Sequence, residues 1–90
     1  MRDDGGRGAK LMFYYTYILK SKKDGNLYIG DTSGLKLRKI EHDKGMVEAT
    51  KSRRPLDLIY YEACLSKEKA LQKEKYFKTG FGRHFLRNRI

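Results

Sequence analysis

Apolar and polar positions alternate with a period of two in three short stretches, and helical spacing fills the gaps between them. Phe13 to Lys20 is β-branched and aromatic with no helix breaker. Its apolar residues fall on both faces, which predicts a central strand. Asp24-Gly25 marks a hairpin, with Asn26 to Asp31 returning, because a type I′ turn needs positive φ at both central residues. Any even-length loop then puts Tyr17 and Tyr28 on one sheet face. A strict two-residue loop would leave them about 13 Å apart along the strands, at roughly 3.3 Å per residue. A longer loop or a bulge would bring them closer.

Thr32 or Ser33 can cap a helix from about Leu35 to Asp43. Arg38 and His42, four apart, share one face of it. Leu37 and Ile40 lie on another side, so its apolar stripe is thin. A loop from Lys44 to Pro55 carries Lys51, Arg53 and Arg54. Leu56 to Ala63 reads as a third strand. Ser66 caps a helix from Lys67 to about Thr79, with Gly80 ending it as a C′ residue, and Gly82 to Asn88 forms a short last helix. No repeat or linker divides the chain. The expectation is one α+β domain over residues 12–90, preceded by a tail of residues 1–11, native or a remnant of recombinant expression, whose first ten positions are rich in Gly and charge.

Composition narrows the class. Ninety residues with 39% hydrophobic and 12% aromatic content allow one small core, and seven Tyr with four Phe are not a disordered composition. The net charge of +10 points to a polyanion, nucleic acid before an anionic membrane surface. The single cysteine, Cys64, makes neither an internal disulfide nor a zinc cage, and reads as a small buried hydrophobe. A reducing compartment fits. The apolar run Leu11 to Leu19 is too short to span a bilayer and has no small-residue cleavage site after it, so a cytoplasmic protein is expected.

Glu74 is the sharpest anomaly, set among Ala70, Leu71 and Phe77 on the second helix. A carboxylate on an apolar stripe needs a cation or hydrogen bonds. It is either a Mg²⁺ ligand or the acid of a structural salt bridge. Arg38 offers a planar fork for a phosphate oxygen, or is one surface arginine among many. His42 could be a general base, a donor to phosphate, or a charge at a helix C-terminus. Tyr17 and Tyr28 could bond to phosphate or to an attacking water, could act as the base, or could be core aromatics. No Gly-rich phosphate loop, HExxH or Ser/His/Asp arrangement is present.

Tyr15-Thr16-Tyr17 followed by Tyr28-Ile29-Gly30 resembles the GIY-YIG nuclease superfamily, in particular small stand-alone members related to the nuclease domain of the excision-repair nuclease. The likeness runs from Met12 to Ile90. It takes in Thr32-Ser33, Arg38, Glu41-His42, Thr50-Lys51, Arg53-Arg54-Pro55, Leu58 to Glu62, Glu74-Lys75-Tyr76, Gly82-Arg83, Phe85-Leu86 and Asn88. Four features depart from the pattern: Thr16 in the first motif, Asp31, Gly34, and Leu37 with the reversed order of Lys39-Ile40.

The resemblance implies a three-stranded antiparallel sheet flanked by helices, and hydrolysis of DNA phosphodiesters with one divalent metal, Mg²⁺ or Mn²⁺. It implies that Glu74 binds the metal, that Tyr17 or Tyr28 positions or deprotonates the water with His42 as a competing base, that Arg38 stabilises the phosphoryl charge and that Asn88 supports the site. Lys51, Arg53, Arg54, Arg83 and Arg87 are the expected nucleic-acid contacts. The alternative is a module with the same fold that holds nucleic acid and cuts weakly or not at all.

Overall fold

The computed structural model describes residues 11–90. The tail expected at residues 1–11 therefore lies, apart from Leu11, outside the described residues. Strands β1 (Tyr14–Ser21), β2 (Leu27–Thr32) and β3 (Leu56–Cys64) alternate with helices α1 (Leu35–Asp43), α2 (Lys67–Phe77) and α3 (Gly80–Arg87). The strands form one antiparallel sheet in the order β2-β1-β3. β1 is central, as its two apolar faces predict.

Those faces build two clusters. Ile18 and Ile29 pack with Phe77 of α2 and Leu86 of α3, whereas Tyr17, Leu19 and Leu56 pack with Tyr28, Leu35 and Leu58 on the side of α1. The register against β3 shifts between Ile18 and Leu19, which face Tyr60 and Leu58. Ile59 is the extra residue of a β-bulge, so Ile59 and Tyr60 can both pack on the Ile18 cluster.

The hairpin differs from the expected two-residue turn. Lys20 pairs with Leu27, and Ser21 N–H donates to the Asn26 carbonyl at 3.0 Å, leaving a four-residue loop, Lys22–Gly25. Gly25 takes the positive φ, 73°. The buried Ser21 sets the loop: its Oγ accepts from Lys23 N–H and Asp24 N–H and donates to the Arg53 carbonyl at 2.6 Å. Tyr17 now faces Gly30 and Tyr28 faces Leu19, so the two tyrosines stand two residues apart on one face, about 7 Å along the strands.

Three helix expectations need correction. Gly34, not Thr32 or Ser33, is the N-cap of α1 and supplies no side-chain cap. The Thr32 hydroxyl instead accepts from Gly34 N–H at 3.1 Å. Leu71 is exposed, so the inward stripe of α2 is Ala70 and Phe77 with Lys73 and Glu74 half-buried beside them. Gly80 is not a C′ glycine: α2 ends at Phe77, Thr79 caps α3 by accepting from Gly82 N–H at 3.1 Å, and Gly80 opens that helix. Ser66 caps α2 as expected, accepting from Lys69 N–H at 3.2 Å. Cys64 is half-buried, its thiol donating to the Ser66 carbonyl. Among the described residues, no helix is long and apolar enough to cross a membrane.

Candidate active site

α1 docks through Leu35 and His42, one residue of each end turn, with Arg38 between them. Leu37 and Ile40 are exposed. The stripe looks thin in sequence because the face that packs is the polar one. His42 is wholly buried between the two tyrosines. Its ring centroid is 5.6 Å from that of Tyr17 and 5.2 Å from that of Tyr28, and the tyrosine rings are 6.3 Å apart. The Tyr17 hydroxyl lies 2.8 Å from His42 Nε2, and His42 Nδ1 lies 2.7 Å from the Thr50 hydroxyl. Tyr28 is half-buried, and its hydroxyl makes no hydrogen bond among the described residues.

Arg38 Nη1 donates to Glu41 Oε1 at 2.9 Å, and the guanidinium also faces the Tyr17 oxygen. Burial pushes the Tyr17 hydroxyl up to about 12, although Arg38 works the other way. Burial, and then the charge of Arg38, hold His42 below its ordinary value. Both groups are thus neutral at pH 7.

Glu74 approaches from the opposite face of the sheet. Its Oε2 accepts from Lys78 Nζ at 2.8 Å, one turn on along α2. Asp31, at the end of the edge strand β2, shares a hydrogen bond with it. The Glu74 carboxylate first, and burial second, push Asp31 up to about 6, so Asp31 is the acid that keeps the shared proton. Burial works upward on Glu74 too, but the bond from Asp31 and the ammonium of Lys78 outweigh it and hold Glu74 low. Asp31 also lines one surface pocket together with Thr32, Arg38 and Glu41. The free edge of β2 is therefore where the carboxylates from one face meet the guanidinium from the other.

The structure brings Tyr17, Tyr28, Arg38 and His42 into one cluster and joins Glu74 to it through Asp31. Asn88 is exposed at the C-cap of α3 and its side chain makes no hydrogen bond among the described residues. Arg83 and Arg87 are exposed on α3. Lys51 is exposed beside Glu48, 3.4 Å away. The two loop arginines have internal partners: Arg53 Nε donates to Asp24 at 3.3 Å, and Arg54 donates to the Lys51 and Asp43 carbonyls.

Two residues matter here that the sequence does not single out. Thr50 leaves no signal in a polar loop. Gly30 sits under the Tyr17 ring, where an added Cβ would lie 2.7 Å from the hydroxyl oxygen and 2.8 Å from Cζ. Gly30→Ala is expected to push that ring off His42, costing about 1–3 kcal/mol of stability by overpacking. Thermal unfolding would show it, with loss of the His42 hydrogen bond visible in NMR spectra of the imidazole. An Asp31→Asn change should act in the other direction. The Asp31 carboxyl has a raised pKa, so its ionised form destabilises the fold as pH rises through about 6. In metal-free protein the asparagine variant should gain about 1 kcal/mol at pH 7, after allowance for solvent screening. That gain should vanish near pH 4.5, as paired melting curves would show.

The sequence of residues 13–88 matches the family model of the GIY-YIG catalytic domain. This chain belongs to the GIY-YIG family. Among its relatives is a UPF0213 protein of Bacillus pumilus, 42% identical over 67 residues that cover 73% of this chain and 67% of the relative. Another is UPF0213 protein SSP2268 of Staphylococcus saprophyticus, also 42% identical over 67 residues, covering 73% and 80%. The solution NMR structure of UPF0213 protein BH0048 from Bacillus halodurans has the same fold, with a TM-score of 0.54 at 32% identity over 86% of this chain and 84% of that one. Membership of the GIY-YIG family points to a nuclease, a hydrolase whose substrate is nucleic acid. In GIY-YIG terms the two signature tyrosines are Tyr17 and Tyr28, and the helix that follows them carries Arg38.

Proposed function

We propose that this chain is a Mg²⁺- or Mn²⁺-dependent endonuclease that hydrolyses phosphodiester bonds in DNA. The observation that carries the reading is the pocket at the β2 edge, where Arg38 and Asp31 share one wall and Glu74 stands behind Asp31. The donor set fits a hard divalent ion. Two carboxylates that must share a proton hold more negative charge than Lys78 offsets, and carboxylate oxygen is what such an ion takes. Glu74 would hold it, and when bound it would offset negative charge gathering on the phosphoryl oxygens.

The protein groups divide the remaining work. Arg38, aimed by Glu41, clamps the phosphoryl group while water bonds to phosphorus and a bridging P–O bond breaks. Tyr28 is the phenol that reaches solvent and orients that water. Tyr17 keeps its proton at neutral pH and holds Arg38 and His42 in place. His42 is shut off from solvent and acts through Tyr17. Asn88 supports the site from the end of α3. The exposed Lys51, Arg83 and Arg87 attract the DNA backbone, with Arg53 and Arg54 shaping the loop beside them.

The Lys78–Glu74 ion pair favours a second reading, in which the acid is already neutralised and the chain binds DNA without cutting. Incubation with supercoiled plasmid and with branched DNA, with Mg²⁺ or with chelator, separates the two. The nuclease reading expects nicked or linear product with Mg²⁺ and none with chelator. Salt-sensitive binding with no metal-dependent product would replace it with the second.

A further inference from the structure

We infer that Thr50 is a positioning residue that fixes the tautomer of His42 and, through it, the direction of the Tyr17 hydrogen bond. The inference rests on the nuclease reading for its consequence in catalysis, but its structural half stands apart from it. His42 and Thr50 are both wholly buried, and so is nearly all of Tyr17. Three polar side chains with no access to water form a row, with separations of 2.8 Å from Tyr17 Oη to His42 Nε2 and 2.7 Å from His42 Nδ1 to Thr50 Oγ1. A neutral imidazole has one N–H donor and one bare nitrogen, so the row must run one way or the other.

The Tyr17 end decides which. The neighbours of its hydroxyl are the Arg38 guanidinium and His42 Nε2. A guanidinium only donates, so it can serve the Tyr17 oxygen but cannot receive its proton. The Tyr17 O–H therefore donates to a bare Nε2, which places the ring proton on Nδ1 and makes the Thr50 oxygen its acceptor. That acceptor also suits the imidazolium, because Nδ1 keeps its proton in both states. The opposite tautomer would leave the Tyr17 O–H buried without an acceptor, a cost of about 1–3 kcal/mol.

Thr50 is held for the task by its backbone. Its N–H donates to the Val47 carbonyl at 3.1 Å, and its carbonyl accepts from Arg53 N–H at 2.9 Å, which pins it at the entry to the short 3₁₀ helix Lys51–Arg53. The same turn receives the Ser21 hydroxyl from β1. The loop that precedes β3 is thus tied to the hairpin and presents one hydroxyl to the back of the His42 ring. A tautomer fixed by a second group is what lets a histidine keep a neighbouring hydroxyl in one orientation.

The test is ¹⁵N NMR of the imidazole in protein without metal or DNA, with His84→Gln removing the second histidine signal. The expected spectrum has a protonated Nδ1 and a bare Nε2. Thr50→Ser should keep it. Thr50→Val, which matches the shape and lacks the hydroxyl, should give a mixture of tautomers. In the plasmid assay the valine variant should lose roughly tenfold in kcat with KM for DNA little changed, and serine should restore it. A proton on Nε2 in the unmutated Thr50 protein overturns the inference, and needs no variant to fold. So does an unchanged spectrum in Thr50→Val. Should the chain cut no DNA and still show the Nδ1-protonated ring, the nuclease reading falls and the tie between Thr50 and His42 stands.

Discussion

Gly82→Ala should destabilise the fold more than any other single methyl group added to this chain. Gly82 is buried where the first turn of α3 crosses the end of α2. A Cβ there would lie 1.9 Å from the Tyr76 carbonyl oxygen, 2.6 Å from its carbon and 2.7 Å from Phe77 Cα. All three are backbone atoms, so no side-chain rotation relieves the overlap. α3 would have to lift, drawing Leu86 and Phe85 away from Phe77 and opening the Ile18 cluster. A loss on the order of 3–5 kcal/mol is expected, in the range of large core truncations. A small domain has about 5–15 kcal/mol in total, so the melting temperature should fall by at least ~10 °C. Gly80→Ala is the matched control. Gly80 lies two residues earlier in the same helix with open space around it, and the change should be neutral or slightly stabilising. Circular dichroism melts of the pair read the difference directly. Equal melting curves would mean that α3 does not rest on Gly82.

What the sequence discloses follows from how local each determinant is. β1 is readable as a central strand because its own eight residues carry apolar side chains on both faces. Ser66 is readable as a cap because the groups it satisfies lie within one turn. The pairing of Tyr17 with Tyr28, and of Arg38 with His42, follows from strand parity and from spacing along a helix. The hairpin loop is not readable in the same way. Asp24-Gly25 marks a turn, but the loop length is set by Ser21 bonding to Arg53, thirty-two residues away.

Gly80 and Gly82 make the same point. Both are plausible helix punctuation in sequence, and only the crossing of α3 over α2 shows which one needs to be glycine. Charge misleads for a related reason. Arg53 and Arg54 look like free cations beside a loop, yet their guanidinium groups are engaged with Asp24 and with two main-chain carbonyls. Asp31 reads as an added charge near the site. Its partnership with Glu74 appears only when β2 and α2 are seen to meet at the sheet edge. Thr50 has no local signature at all, because its role depends on a ring that arrives from another element.

The largest functional effect is expected from Glu74→Gln. The substitution keeps the length and shape of the side chain and removes its charge. In the fold Glu74 makes one ion pair with a half-exposed Lys78, so stability should change by less than about 1 kcal/mol. In the proposed chemistry the loss is of another order. A neutral amide is a poor ligand for a hard cation, and the site would keep only Asp31. Metal-dependent cutting should fall by on the order of 10³-fold, with DNA affinity within about twofold of the parent, since Lys51, Arg83 and Arg87 are untouched. Removing the Glu74 charge also removes the first cause of the raised Asp31 pKa, so Asp31 should move back toward the ordinary carboxylate range, which ¹³C NMR titration of its carboxyl would read. The two readouts separate the two roles of the acid. A relaxed Asp31 titration with unimpaired cutting would leave Glu74 as a structural partner of Lys78 and Asp31, and would move the metal to other groups. A relaxed titration together with lost cutting and retained binding is the outcome that the geometry at the β2 edge requires.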